Sequence, residues 1–140
     1  MLNKIDSKIV ESLTSLGYNV DPPLKNISDL RDVPAPVALV KYGTELPDTR
    51  STAQYFTQTI PVEIQVYPEC DWSNLKEKAF EQVTLIKKWL QDFDDLEDTV
   101  IDQEYLGFEI IETGVEHMPG GISVFIGIVY RQRRDDPSRC

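Results

Sequence analysis

Histidine and cysteine are almost missing from this chain: one His and two Cys in 140 residues. A single histidine, His117, leaves a zinc site or a His-based relay little to work with. No cysteine lies within a few residues of it. Only a chance meeting of Cys70 with His117 in space could make a nucleophile pair, and otherwise His117 is a solvated loop residue beside Glu116. The two cysteines, Cys70 in mid-chain and Cys140 at the last position, read as free thiols of a reducing compartment rather than as a disulfide.

Glycine is sparse as well, at seven residues. The pair Gly120-Gly121 lacks the Lys-Ser/Thr of a phosphate-binding loop and the spacing of a dinucleotide fingerprint. With Pro119 it reads as a hairpin turn closing a loop from Thr113 to Gly121. Long apolar runs are absent, and no window approaches the ~18 residues that a membrane span needs. Met1-Leu2-Asn3-Lys4-Ile5-Asp6 has no apolar core of a secretory signal, so synthesis in the cytosol is expected.

Positive charge is short too. The net charge of −10 and a pI near 4.5 disfavour nucleic-acid binding, which wants a basic face. Acids are so abundant that any one pair is uninformative as glycosidase or metal chemistry. The run Asp92-Phe93-Asp94-Asp95-Leu96-Glu97-Asp98 invites a calcium reading, because hard cations want clustered oxygens. The template fails, with Leu96 at the third ligand position and Glu97 where a glycine turn is required. It reads instead as a solvated loop after a helix, and no metal, cofactor or catalytic residue is expected.

What is present fits one domain. The length is that of a single unit able to bury roughly two-thirds of its unfolded surface. Ile5, Ile9, Leu13 and Leu16 recur at helical spacing over residues 4–16, followed by Gly17 as a left-handed cap. Tyr18 and Val20 then leave the helix before the Asp21-Pro22-Pro23 break, and 24–35 is irregular. Val37-Ala38-Leu39-Val40 is a short strand entered from Pro34 and Pro36. Gly43–Ala53 reads as a polar loop. Gln54–Tyr67 alternates, with Phe56, Ile60, Val62, Ile64 and Val66 on one face and Glu63 and Gln65 on the other; Pro61 implies an edge position or a bulge.

Asp71 or Ser73 can cap a second helix, whose Leu75, Ala79, Val83, Ile86 and Leu90 form one stripe. Val100–Ile111 is a third strand of imperfect alternation. Ile122–Tyr130 is apolar on both faces and should run centrally. The expected architecture is α+β: a mainly antiparallel sheet of four or more strands with two helices on one face, in the order α-β-β-α-β-β. Residues 1–130 form the domain and 131–140 a polar, frayed, Arg-rich tail.

Charge is distributed unevenly. From Trp89 to Tyr130 there is no Lys or Arg, and ten acids fall between Asp92 and Glu116. Arg131, Arg133 and Arg134 then arrive together. Either the tail folds back and neutralises its own body, or it meets the acidic surface of a neighbouring subunit, a head-to-tail contact that can close a ring.

In layout, the helix Ile5–Leu16, the strand entry Pro34-Ala35-Pro36-Val37-Ala38-Leu39-Val40, the strand Ile60–Tyr67 before a helix and the closing strand Ile122–Tyr130 resemble the tail terminator (tail completion) proteins of tailed bacteriophages. The resemblance implies an α/β sandwich-like fold and a hexameric ring. That ring caps the tail tube and presents a surface to the head connector, so the implied partners are the chain itself, the tail tube protein and neck proteins, within a virion. Position and charge add candidate interface residues: Arg131, Arg133 and Arg134; Asp92, Asp94, Asp95, Glu97 and Asp98; and Thr44, Glu45, Asp48 and Arg50 of the polar loop. The rivals are another neck component (a head-closure or head–tail joining protein), a small hydrolase using carboxylates or Cys70, and a monomeric module for a basic partner.

Overall fold

The computed structural model describes residues 2–21, 36–47, 55–91, 100–115 and 118–133. The first helix, α1 (Leu2–Ser15), buries Ile5, Ile9 and Leu13 completely. It stops as its sequence requires. Gly17 takes φ 100°, its N–H donates to Thr14 O at 3.0 Å, and Tyr18 N–H reaches Leu13 O at 3.2 Å. That pair of bonds is a Schellman cap, and a Cβ at position 17 would strain the backbone.

Six strands follow: β1 (Asn19–Val20), β2 (Val37–Tyr42), β3 (Leu46–Pro47), β4 (Tyr55–Tyr67), β5 (Val100–Val115) and β6 (Met118–Arg133), with helix α2 (Leu75–Gln91) between β4 and β5. They make one sheet in the order β1-β2-β4-β6-β5, with β3 also on β4. All pairs are antiparallel except β1 with β2. The expected α+β class with two helices and a mainly antiparallel sheet is therefore observed. Two strands of two residues each add to the expected order.

Parity along the strands decides the core. Ile60, Val62, Ile64 and Val66 of β4 share a face with Ile122, Val124, Ile126, Ile128 and Tyr130 of β6, through pairs such as Ile64↔Val124. Both helices close on that face, placing Ile5, Ile9, Leu13, Ala79, Val83, Ile86 and Leu90 in one cluster with it. Each large side chain so buried contributes ~1.5–3 kcal/mol, which explains why helices of modest intrinsic stability dock here. β6 lies between β4 and β5, the central place its two apolar faces demand.

Pro61 sits in the centre of the sheet, and a bulge accommodates it. Between the pairs Tyr42↔Val62 and Leu46↔Thr59 lie three residues on one side (43–45) and two on the other (60–61). β3 is thus the continuation of β2 past one extra residue. Gly43 N–H donates to Pro61 O at 2.8 Å, so the missing Pro61 N–H falls on the interrupted side of the ladder.

Of the two expected caps for α2, Asp71 is the one used, with Asn74 as its partner, while the Ser73 hydroxyl donates to Asp71. Asp71 Oδ1 accepts from Ser73 N–H and Asn74 N–H at 3.0 and 3.1 Å, and Asn74 Oδ1 accepts from Asp71 N–H at 2.9 Å. That is a reciprocal capping arrangement. It holds the Asp71 carboxyl below its usual range, the Ser73 hydroxyl acting most strongly.

Two expectations need correction. Pro119, Gly120 and Gly121 are not a turn: they lie inside β6, and Val115 pairs with Met118, so the chain reverses between those two. The glycines serve close backbone approach. A Cβ on Gly120 would stand 2.2 Å from Ile111 O, and one on Gly121 2.0 Å from Val66 O. Nor does a frayed tail begin at residue 131, because Arg131–Arg133 continue β6 opposite Tyr55–Thr57. The irregular segment 24–35 and the loop after α2 lie outside the described residues.

Candidate interaction surface

β5 is an edge strand of sixteen residues. Among the described residues no strand pairs with its outer side. Its sequence is the heart of the base-free stretch, with Asp102, Glu104, Glu109 and Glu112 and no cation. Register separates its two faces. Asp102↔Val129, Glu104↔Gly127 and Glu109↔Ser123 put three acids on the face away from the helices. Tyr105↔Ile126, Phe108↔Val124 and Ile110↔Ile122 put the rings and Ile110 on the helix face.

Three register shifts interrupt β5, at Val100/Asp102, Tyr105/Gly107 and Glu112/Val115. They explain the imperfect alternation, since each extra residue resets the pattern. Gly107 has φ 135°, beside the extra residue Leu106. Between the shifts one run, Gly107–Glu112, keeps an unbroken register of six residues.

That run is where apolar surface stays open. Phe108 is 43% exposed, Ile110 37%, Phe80 of α2 43% and the neighbouring Leu106 58%. Phe80 and Phe108 meet edge to face with ring centroids 6.0 Å apart. The lysines of α2 flank them, Lys76 over Phe80 at 5.8 Å and Lys87 over Tyr105 at 4.4 Å. The helix side of the edge thus carries Phe108 and Ile110, with cations beside them and Glu112 at the end, and the far side carries Asp102, Glu104 and Glu109 together with Leu106 and Ile111.

Glu63 of β4 belongs to the same far face, opposite Phe125. Glu63 accepts from the buried Ser123 hydroxyl and from Gln65 Nε2 at 2.7 Å, and Tyr67 donates to Gln65 at 3.1 Å. Burial pushes the Glu63 carboxyl up, but these hydrogen bonds and the charge of Lys41 outweigh it and leave it below the usual range.

The residues singled out in the sequence are dispersed. Asp92, Asp94, Asp95, Glu97, Asp98, Asp48, Arg50 and Arg134 lie outside the described residues, as do His117 and Cys140. Arg133 is at the end of β6, opposite Tyr55. Arg131, opposite Thr57, falls two positions past Val129, the partner of Asp102, and so on the same face as that acid. Diagonal neighbours of this kind are within reach of long side chains, which favours neutralisation within the chain for Arg131. Thr44 is exposed. Glu45 is turned inward instead, accepting the hydroxyl of the buried Tyr130, so it anchors the β2–β3 bulge.

Cys70 is a buried free thiol, and burial, with Asp71 beside it, pushes its pKa up, the reverse of an activated nucleophile. A cleft of about 400 Å³ between α1 and β2 is lined by Asn3, Asp6, Asp21, Val40, Tyr42 and Ile60. Its two carboxylates hold structure: Asp6 accepts from the Tyr42 hydroxyl, and Asp21 accepts from Val40 N–H at 2.8 Å. Among the described residues no group of three potential metal ligands assembles, and no helix is long and apolar enough to cross a membrane.

The acids of β5 were legible in the sequence as part of the base-free run. Leu106, Phe108, Ile110 and Phe80 were missed as surface residues. Only the strand order places β5 at an edge, although aromatic and aliphatic residues interleaved with acids gave a faint signal. No family model and no curated protein matches the chain.

Proposed function

We propose that the chain is a structural subunit of a bacteriophage neck, a tail terminator that forms a ring on the end of the tail tube and joins it to the head connector. The reading rests on the sequence layout described above, and one structural observation supports it. Part of the base-free, acid-rich stretch, β5, forms an edge strand with no strand on its outer side among the described residues, and it exposes Leu106, Phe108 and Ile110. Exposed apolar groups rimmed by charge mark a surface made for protein contact. On this reading the protein is part of the virion, and its partners are its own copies, the tail tube protein and the connector.

The chain's acidity separates the roles of the two kinds of group. Apolar contact supplies affinity, and charge sets orientation and rejects wrong partners. The direct test is to add the full chain to purified tail tubes and image the tubes by electron microscopy. Rings at one tube end are expected. Binding to connectors without tubes would reassign the chain to a head-closure role, and binding to neither would end the neck reading.

A further inference from the structure

The geometry points to strand addition at the β5 edge: the run Gly107–Glu112 accepts an extended segment of a partner protein in which apolar and cationic side chains alternate. This deepens the neck reading, on which it rests for the premise that the chain works by joining other proteins.

The mode follows from the backbone. An edge strand presents unpaired N–H and C=O groups, and folded proteins blunt such edges with bulges, charges or covering segments. β5 carries bulges, yet they bracket Gly107–Glu112 and leave its six residues in regular register. The open apolar groups cluster at this regular run, with Phe108 and Ile110 on one face and Phe80 of α2 beside them. The two acids of this run, Glu109 and Glu112, guard it against like-charged strands, while Phe108 and Ile110 leave apolar surface that a purely repelling edge has no need of. A strand laid along this run would set alternate residues beside Phe108 and Ile110, and the residues between them on the far face beside Glu109 and Ile111.

The occupant follows from charge. A second copy pairing β5 with β5 would bring two strands together that carry only acids, and like charges opposite one another destabilise a ladder. The described strands of this chain offer no free segment of alternating apolar and cationic residues, since Arg131–Arg133 are already paired to β4. A cationic partner strand gains where the second copy loses, at Glu109 on the far face; Glu112, opposite Gly120, stands at the end of the run on the same face as Phe108 and Ile110. The acids thus select the partner as well as prevent self-pairing.

The test uses the full chain and three synthetic peptides: one alternating valine and lysine, one with glutamate replacing each lysine, and one with the valine–lysine composition in scrambled order. Amide hydrogen exchange and calorimetric titration are followed in low salt. The valine–lysine peptide should slow exchange at every second amide of Gly107–Glu112. The other two should not. Changing Glu109→Lys together with Glu112→Lys, both at exposed positions, should weaken binding by about tenfold or more. Phe108→Ser should weaken it, with circular dichroism at the temperature of the titration checking that the variant is still folded. Three results would overturn the inference: no protection of β5 by the valine–lysine peptide, equal binding of the scrambled peptide, or protection that grows with protein concentration alone, which would make a second copy the occupant. Rings that form on tail tubes while β5 stays unprotected would sink the strand inference and leave the neck reading standing. Strand binding by a chain that ignores tail tubes would do the opposite.

Discussion

Phe80 of α2 and Phe108 of β5 meet with ring planes 80° apart and centroids at 6.0 Å, and each residue is 43% exposed. The contact ties the edge strand to the helix above it and leaves both rings available to a partner. Aromatic pairs of this geometry contribute ~0.5–1.5 kcal/mol beyond their burial. A double-mutant cycle of Phe80→Ala and Phe108→Ala, read by chemical denaturation, should return a coupling in that range. Assembly with a partner should fall further than stability does, since the surface each ring shows to solvent contributes little to folding.

The core carries most of the stability. Ile126 is fully buried between the central strands and the helices. Ile126→Ala should cost roughly 2–5 kcal/mol through lost transfer energy and the cavity left behind. Denaturant melts monitored by circular dichroism check this, with Leu106→Ala, at an exposed site, as the control expected to stay within about 0.5 kcal/mol.

Two glycines should respond for different reasons. Gly17→Ala meets no neighbouring atom but must hold φ 100°, so a loss of ~1–2 kcal/mol is expected from backbone strain alone. In Gly121→Ala the new Cβ would lie 2.0 Å from Val66 O, and the ladder between β4 and β6 must shift. The second variant should lose more stability, and its exchange protection should drop specifically along Val66 and Ile122, the pair beside it. Equal losses in the two variants would contradict the close-approach role of Gly121.

Long elements were readable from the sequence because their periods are local. The helix spacing of Ile5, Ile9 and Leu13 and the alternation of Ile60–Val66 each report a buried face without reference to the rest of the chain. The errors have a common cause in distant pairing. Gly120-Gly121 carries the composition of a turn, yet its conformation is dictated by Ile111 and Val66 on the two flanking strands. Arg131–Arg133 have the polarity of a tail but are held by Tyr55–Thr57. β1 and β3, at two residues each, are too short to show a period. The acids of the candidate surface were visible as a base-free run, but that they line an edge depends on strand order, which no local pattern encodes.

Alkali should unfold the protein through its tyrosines. Burial pushes Tyr18 up to about 12; burial, then the charge of Glu63, does the same for Tyr67. Burial and the hydrogen bond to Asp6 raise Tyr42 as well. A raised folded pKa means the neutral phenol is favoured in the native state. The resulting stability is complete below the ordinary value of 10.0 and is lost as pH climbs toward 12. Tyrosinate absorbance and far-ultraviolet circular dichroism, recorded together on pH titration, should change cooperatively in that window. Early, independent ionisation of all the tyrosines would contradict the buried hydroxyls.

Acid should act in the opposite sense at Glu63. Its folded pKa is depressed, so its contribution is present at neutral pH and disappears as pH falls through the folded value. Replacing Ser123 by Ala removes the donor to its carboxylate and should shift the acid unfolding midpoint to higher pH.

The central claim is that this chain works by assembly, and the mass of the full-length protein in solution tests it most directly, measured by native mass spectrometry alone and mixed with tail tube protein. A closed ring, hexameric if the resemblance to tail terminators holds, is the expected result in at least one of the two samples. A strict monomer in both, indifferent to tail tubes, would contradict it.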